Sequence, residues 1–179
     1  MTTETEAQHS SAGRLKRLAK LRRVPPFPGI KHSNKFTIVY AIDTSGSMST
    51  QDLQLGFSEL QQIQKADSAD VTIILIHADA VVAKEIIVKP RTQIDFNAYG
   101  RGGTDFEPVF RRVAELLRNQ DTAPDILIYA TDGYAPVPQT KLNIPVVWLI
   151  TPTGRPVCED AGHITLIMKD YQAGEVHEL

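Results

Sequence analysis

Val71-Thr72-Ile73-Ile74-Leu75-Ile76 is a near-continuous apolar run with almost no polar alternation, the pattern of a strand buried on both faces of a sheet. Phe36-Thr37-Ile38-Val39-Tyr40-Ala41-Ile42 and Ile126-Leu127-Ile128-Tyr129-Ala130 read the same way, and residues 145–150 form a further strand. Strands of this kind need helices on both sides, so they restrict the chain to an α/β architecture. Between the first two runs, Leu53, Leu55, Phe57, Leu60 and Ile63 recur with few β-branched residues, predicting a helix over 52–65 with Ser49 or Thr50 as N-cap. The 71–76 strand is then expected parallel to the first. His77-Ala78-Asp79-Ala80 is short enough for a hairpin turn into an antiparallel edge strand at 81–88, which makes His77 and Asp79 turn residues. Val109, Phe110, Val113, Leu116 and Leu117 predict a second helix over 106–118, with Pro108 in its first turn and Thr104 or Asp105 as cap. A short helix through Pro136 and Pro138 and a last strand at 163–169 complete the reading. The expected fold is α/β and Rossmann-like, a mostly parallel central sheet with one antiparallel edge strand and helices on both faces.

With 179 residues and 42% hydrophobic content, the chain suits one domain with a real core plus a short extension. Its net charge of −2 conceals an asymmetry: residues 1–35 hold eight Lys/Arg against two Glu, and residues 36–179 hold eleven against nineteen acids. The expected organisation is a basic arm and Pro-rich linker over 1–33, with a disordered tip, then a domain over 34–170 and a tail over 171–179. Leu15, Leu18 and Leu21 among basic residues suggest a short amphipathic helix at 14–23. The single cysteine, Cys158, excludes an intrachain disulfide and a Cys-rich zinc site. No apolar stretch approaches the roughly 20 residues that span a bilayer, and no secretory signal is evident. The expectation is a cytoplasmic protein, or a virion component if phage-encoded.

Asp43-Thr44-Ser45-Gly46-Ser47 follows the first strand directly and places one carboxylate and two hydroxyls in the turn where that strand ends. These are hard oxygen ligands, and Gly46 lets the backbone curl them toward one point. Thr104 in Gly102-Gly103-Thr104-Asp105 and Asp132 in Thr131-Asp132-Gly133 lie at the ends of later elements. Each piece alone is an ordinary helix cap or turn. All five in order, at element boundaries, make a metal-site constellation.

Here the chain resembles the von Willebrand factor A (VWA) family and its metal-ion-dependent adhesion site, in which Asp-x-Ser-x-Ser, a distant Thr and a distant Asp surround one divalent cation. The resemblance implies that Asp43, Ser45, Ser47, Thr104 and Asp132 hold the metal directly or through water. Ala41 to Met48, Gly103-Thr104-Asp105, Thr131-Asp132-Gly133 and Pro145-Val146-Val147-Trp148 are similar to an uncharacterised bacterial VWA-like family. Its longer members carry an N-terminal part assigned as a metal-dependent peptidase; the expectation here is that this part is missing, since no His-Glu-x-x-His occurs. The oxygen-only donor set favours Mg²⁺, with Mn²⁺ or Ca²⁺ as substitutes, over zinc or copper. A lightly neutralised cation of this kind keeps waters that a partner's Asp or Glu can replace. Arg101, Asp105 and Tyr134, beside the metal loops, are the expected partner-binding rim.

Enzymatic readings fare worse. Ser45 and Ser47 lie in no Gly-x-Ser-x-Gly elbow, Thr44 and Ser45 break the Asp-x-Asp of aspartyl phosphatases, and no Gly-Lys-Ser/Thr follows the glycine loop. The expected function is therefore a non-catalytic, metal-dependent protein-interaction module. The resemblance suggests MoxR-type AAA+ ATPases as partners. The alternative is a structural subunit of a large assembly, such as a phage particle, tethered by the basic arm. Nucleic-acid binding has only the short basic run at 14–23 behind it.

Overall fold

The computed structural model describes residues 36–66, 71–88, 94, 97–100, 102–157 and 163–169. The arm and linker over 1–33, the helix expected at 14–23, the tail, Cys158 and Arg101 lie outside the described residues.

The elements run in the order β1 (Phe36–Asp43), α1 (Thr50–Ala66), β2 (Val71–Ala78), β3 (Val82–Val88), α2 (Glu107–Leu116), β4 (Ile126–Thr131), β5 (Val146–Ile150) and β6 (His163–Ile167). The strands form one six-stranded sheet ordered β3-β2-β1-β4-β5-β6. All neighbours are parallel except β2 and β3, which form the antiparallel edge. This is the expected α/β architecture, and the apolar runs account for it. Alternate residues of the central strands serve opposite faces. Val39, Ala41, Ile74, Ile76, Leu127 and Trp148 pack with Val109, Phe110 and Val113 of α2. Ile38, Tyr40, Ile42, Ile73 and Leu75 pack with Leu53, Phe57 and Leu60 of α1. Since each strand must satisfy both helices, neither face tolerates polar alternation.

Ser49 opens α1 as anticipated. Its hydroxyl accepts the Asp52 amide at 3.1 Å while the Asp52 carboxylate accepts the Ser49 amide at 3.1 Å, a reciprocal capping box. Two expectations need correction. His77 is not a turn residue but lies in β2, fully buried, because the apolar run continues through Ala78. The turn itself is Asp79-Ala80-Val81. Of the two expected caps of α2, Asp105 serves, its carboxylate accepting the Glu107 amide at 2.9 Å, while Phe106, which directly precedes the helix, offers no side-chain cap. Finally, residues 132–145 contain no helix through Pro136 and Pro138. The segment is irregular and held from outside: Glu107 accepts the amides of Gln139 at 2.8 Å and Thr140 at 3.1 Å, and the Thr140 hydroxyl at 2.7 Å.

β1 and β4 are adjacent in the sheet but far apart in sequence, and strand order reverses between them. Ligands in open α/β sheets bind outside the carboxyl ends of the strands at such a switch point. Asp43 ends β1 and Thr131 ends β4.

Candidate metal centre

The parallel register pairs Ile42 with Ala130, so the next residues, Asp43 and Thr131, emerge side by side. Thr131 donates its hydroxyl to Asp43 Oδ2 at 2.6 Å, and Ser45 donates its amide to Asp43 Oδ1 at 2.9 Å. Both carboxylate oxygens are thereby held, with Asp43 itself fully buried. The Ser45 amide bond curls the turn back over the strand end, and the Ser45 and Ser47 hydroxyl oxygens stand 3.0 Å apart. Ser45 is buried and Ser47 exposed, so the pair runs from the interior to the surface.

From the β4 side, the Thr131 hydroxyl also accepts the Gly133 amide at 3.0 Å, and Asp132 Oδ1 accepts the Tyr134 amide at 3.1 Å. Thr131 therefore links the two aspartate turns. Its role was not read from sequence, since a Thr at a strand end carries no signal until the opposite strand is in register. Asp132 is nearly buried, and Tyr134 is 53% exposed beside it.

The third segment arrives through residues 97–105. The Gly46 amide donates to the Gly102 carbonyl at 3.1 Å, joining this loop to the Asp-x-Ser-x-Ser turn. The Thr44 hydroxyl bonds the carbonyls of Ala78 and Tyr99. Asp79 supplies the anchor: Oδ1 accepts the Val81 amide at 3.0 Å, Oδ2 accepts the Gly102 amide at 2.9 Å, and its carbonyl accepts the Asp105 amide at 3.3 Å. Thr104, half-buried, lies between the Gly102 and Asp105 attachments. A β-carbon on Gly100 would approach Asp79 Oδ2 to 2.7 Å at a φ of +120°, so glycine is required there by both space and backbone. The hairpin turn foreseen for Asp79 is present, but its carboxylate also holds the loop carrying Thr104. Of the expected rim residues, Tyr134 is exposed, Asp105 uses one oxygen to cap α2, and Arg101 is outside the described residues.

Burial pushes the Asp43 carboxyl above its ordinary range; hydrogen bonds from Thr131 and Ser45 oppose that rise, and the negative charge of Asp132 adds to it. A desolvated carboxylate facing a second carboxylate is relieved by a cation, not by another acceptor. Among the described residues no three His, Cys, Asp or Glu side chains group to hold a metal ion. The donors that adjoin at this turn, the Asp43 carboxylate and the Ser45 and Ser47 hydroxyls, are all oxygen, the chemistry a hard divalent ion prefers. No helix among the described residues is long and apolar enough to cross a membrane.

Residues 38–162 match the model of the family described as VWA-like domain (DUF2201). An uncharacterized protein of Thermotoga maritima is 28% identical over 123 residues, which cover 69% of this chain and 29% of that protein. The chain thus spans less than a third of the length of this curated relative.

Proposed function

The chain belongs to the VWA-like domain (DUF2201) family, and from that premise we propose that it is a non-enzymatic interaction module that docks a carboxylate of a protein partner on a divalent cation. The observation that carries this reading is the meeting of three distant segments at the β1–β4 switch point. Asp43 is tied to Thr131, Gly46 to Gly102, and the Ser45 and Ser47 hydroxyls adjoin each other. Asp43, Ser45, Ser47, Thr104 and Asp132 would hold the cation, with Mg²⁺ first and Mn²⁺ or Ca²⁺ as substitutes. When bound, the metal supplies an electrophilic position that an Asp or Glu side chain fills by replacing water.

The neighbouring residues would position these ligands. Thr131 and the Ser45 amide orient the Asp43 carboxylate, and Asp79 holds the Thr104 loop against the Asp43 turn. MoxR-type AAA+ ATPases remain a partner class to try first, on resemblance alone.

The test is thermal unfolding of the full chain with Mg²⁺, Mn²⁺, Ca²⁺ or chelator, for wild type and Asp43→Ala. A cation at one hundred times its dissociation constant stabilises the native state by about 2.7 kcal/mol, or roughly 5–10 °C for a chain of this size. Asp43→Ala is expected to remove that rise. Equal melting temperatures in metal and chelator for the wild type would count against the metal.

A further inference from the structure

β4 and β5 are parallel, with Thr131 opposite Ile150, so the turns that follow them leave the sheet together. The Thr151 amide donates to the Thr131 carbonyl at 3.0 Å, the Gly154 amide closes the turn on the Thr151 carbonyl at 2.9 Å, and the Arg155 amide donates to the Asp132 carbonyl at 2.9 Å. Two glycines let these backbones touch. Gly133 has a φ of +78°, and a β-carbon there would fall on the Arg155 carbonyl oxygen; a β-carbon on Gly154 would lie 2.6 Å from the Asp132 carbonyl oxygen. Arg155 is therefore locked next to Asp132.

Its side chain is fixed as well. Nε donates to the Gly133 carbonyl at 3.0 Å, and the guanidinium carbon lies 5.1 Å from the centre of the Tyr134 ring, within cation–π range. The ion pairs among the described residues are Arg111–Glu107, Arg112–Glu85 and Arg112–Glu115, so no described carboxylate neutralises Arg155. The residue is exposed, and Tyr134 and Val137 beside it are 53% and 51% exposed. An oriented guanidinium whose terminal nitrogens are uncommitted to any acid among the described residues is the side chain best shaped for a carboxylate.

We propose that Arg155, seated on Tyr134 beside the metal centre, binds a second carboxylate of the partner, so that the ligand is an acidic protein segment presenting two acids, one to the cation and one to Arg155. This rests on the metal-docking reading above. The surrounding charge restricts where such a segment can dock: residues 36–179 carry eleven Lys/Arg against nineteen acids, so an acidic segment is repelled elsewhere and held only where positive charge is focused. A bound cation and Arg155 would form a local positive focus on an otherwise acidic surface, attractive only to an acidic segment. Tyr134 and Val137 offer apolar contact to the residues between the two acids.

The probe is a random peptide library displayed on phage, panned on the full chain in Mg²⁺ and eluted with chelator. Recovered peptides are expected to carry two acids a few positions apart and to bind Arg155→Met at least tenfold more weakly. Exchanging the second acid for its amide should abolish the sensitivity to Arg155. Mn²⁺ affinity, read by electron paramagnetic resonance, should stay as in wild type, since the backbone bond from residue 155 to the Asp132 carbonyl remains, and the melting temperature should fall only slightly through loss of the Nε bond to Gly133. Equal peptide binding by wild type and Arg155→Met overturns the inference. So does a parallel loss of Mn²⁺ affinity, which would make Arg155 only a brace for the Asp132 turn. Mn²⁺ binding without recovery of acidic peptides overturns the inference and leaves the metal centre standing. Acidic peptides held through Arg155 but released only by salt, with no Mn²⁺ bound, overturn the two-acid inference together with the metal reading. Absence of both Mn²⁺ and peptide binding removes both.

Discussion

Asp79 accepts two amides with one carboxylate, Val81 within its own turn and Gly102 across to the Thr104 loop. An asparagine has one acceptor oxygen and an amino group, so it can serve one of these amides and must face the other with a donor. Asp79→Asn is therefore expected to loosen the loop and weaken cation binding by about 10- to 100-fold, the range typical of residues that orient ligands. Titration of Mn²⁺ into wild type and variant, with circular dichroism to verify the fold, checks this. An unchanged affinity would reduce Asp79 to a turn former. At this scale the candidate metal residues stand out in the sequence because Asp-x-Ser-x-Ser concentrates three oxygen donors in five positions. Asp79, Thr131 and Arg155 do not, because each acts on a group distant in sequence and looks ordinary among its own neighbours.

Among the elements, α2 and the segment after β4 depend on each other through Glu107. Hydrogen bonds from Thr140, with help from Arg111 and Gln139, lower this carboxyl from 4.5 to about 2. A carboxyl depressed in the folded state contributes stability that is fully present above its unfolded value and is lost as pH falls through the folded one. The window here runs from about 4.5 down to about 2. Glu107→Gln should melt roughly 3–6 °C below wild type at neutral pH, and the gap should close as pH falls through that window. Scanning calorimetry at several pH values reads it; a gap independent of pH would mean that charge is irrelevant to the clamp. The same contact explains why a helix was wrongly expected near Pro136 and Pro138. Those prolines and their spacing permit a helical turn, but the amides of Gln139 and Thr140 are satisfied by a carboxylate from another element. Strands and both long helices were legible from periodicity, since their own residues carry the pattern.

For the molecule as a whole, Trp148 is the keystone of the α2 side of the sheet. It is fully buried, stacks with Tyr129 at 5.3 Å and Phe110 at 5.7 Å, meets Phe106 at 5.1 Å, and donates its indole N–H to His163 Nδ1 at 2.9 Å. These contacts join β4, β5, β6 and α2. Trp148→Ala should cost about 3–5 kcal/mol, a large part of the usual stability of a domain. Urea unfolding followed by circular dichroism measures it, and a loss below about 1 kcal/mol would show that the cluster repacks around the gap. The chain's own residues determined the α/β class, the parallel centre, the antiparallel edge at β3 and the position of the Asp-x-Ser-x-Ser turn, because apolar runs and turn chemistry act over a few adjacent residues. Tertiary structure alone decided that Thr131 meets Asp43, that Asp79 holds the Thr104 loop and that Arg155 sits beside Asp132. Those contacts depend on strand order and register, which are set by burying both faces of the sheet at once and leave no local trace in any one segment.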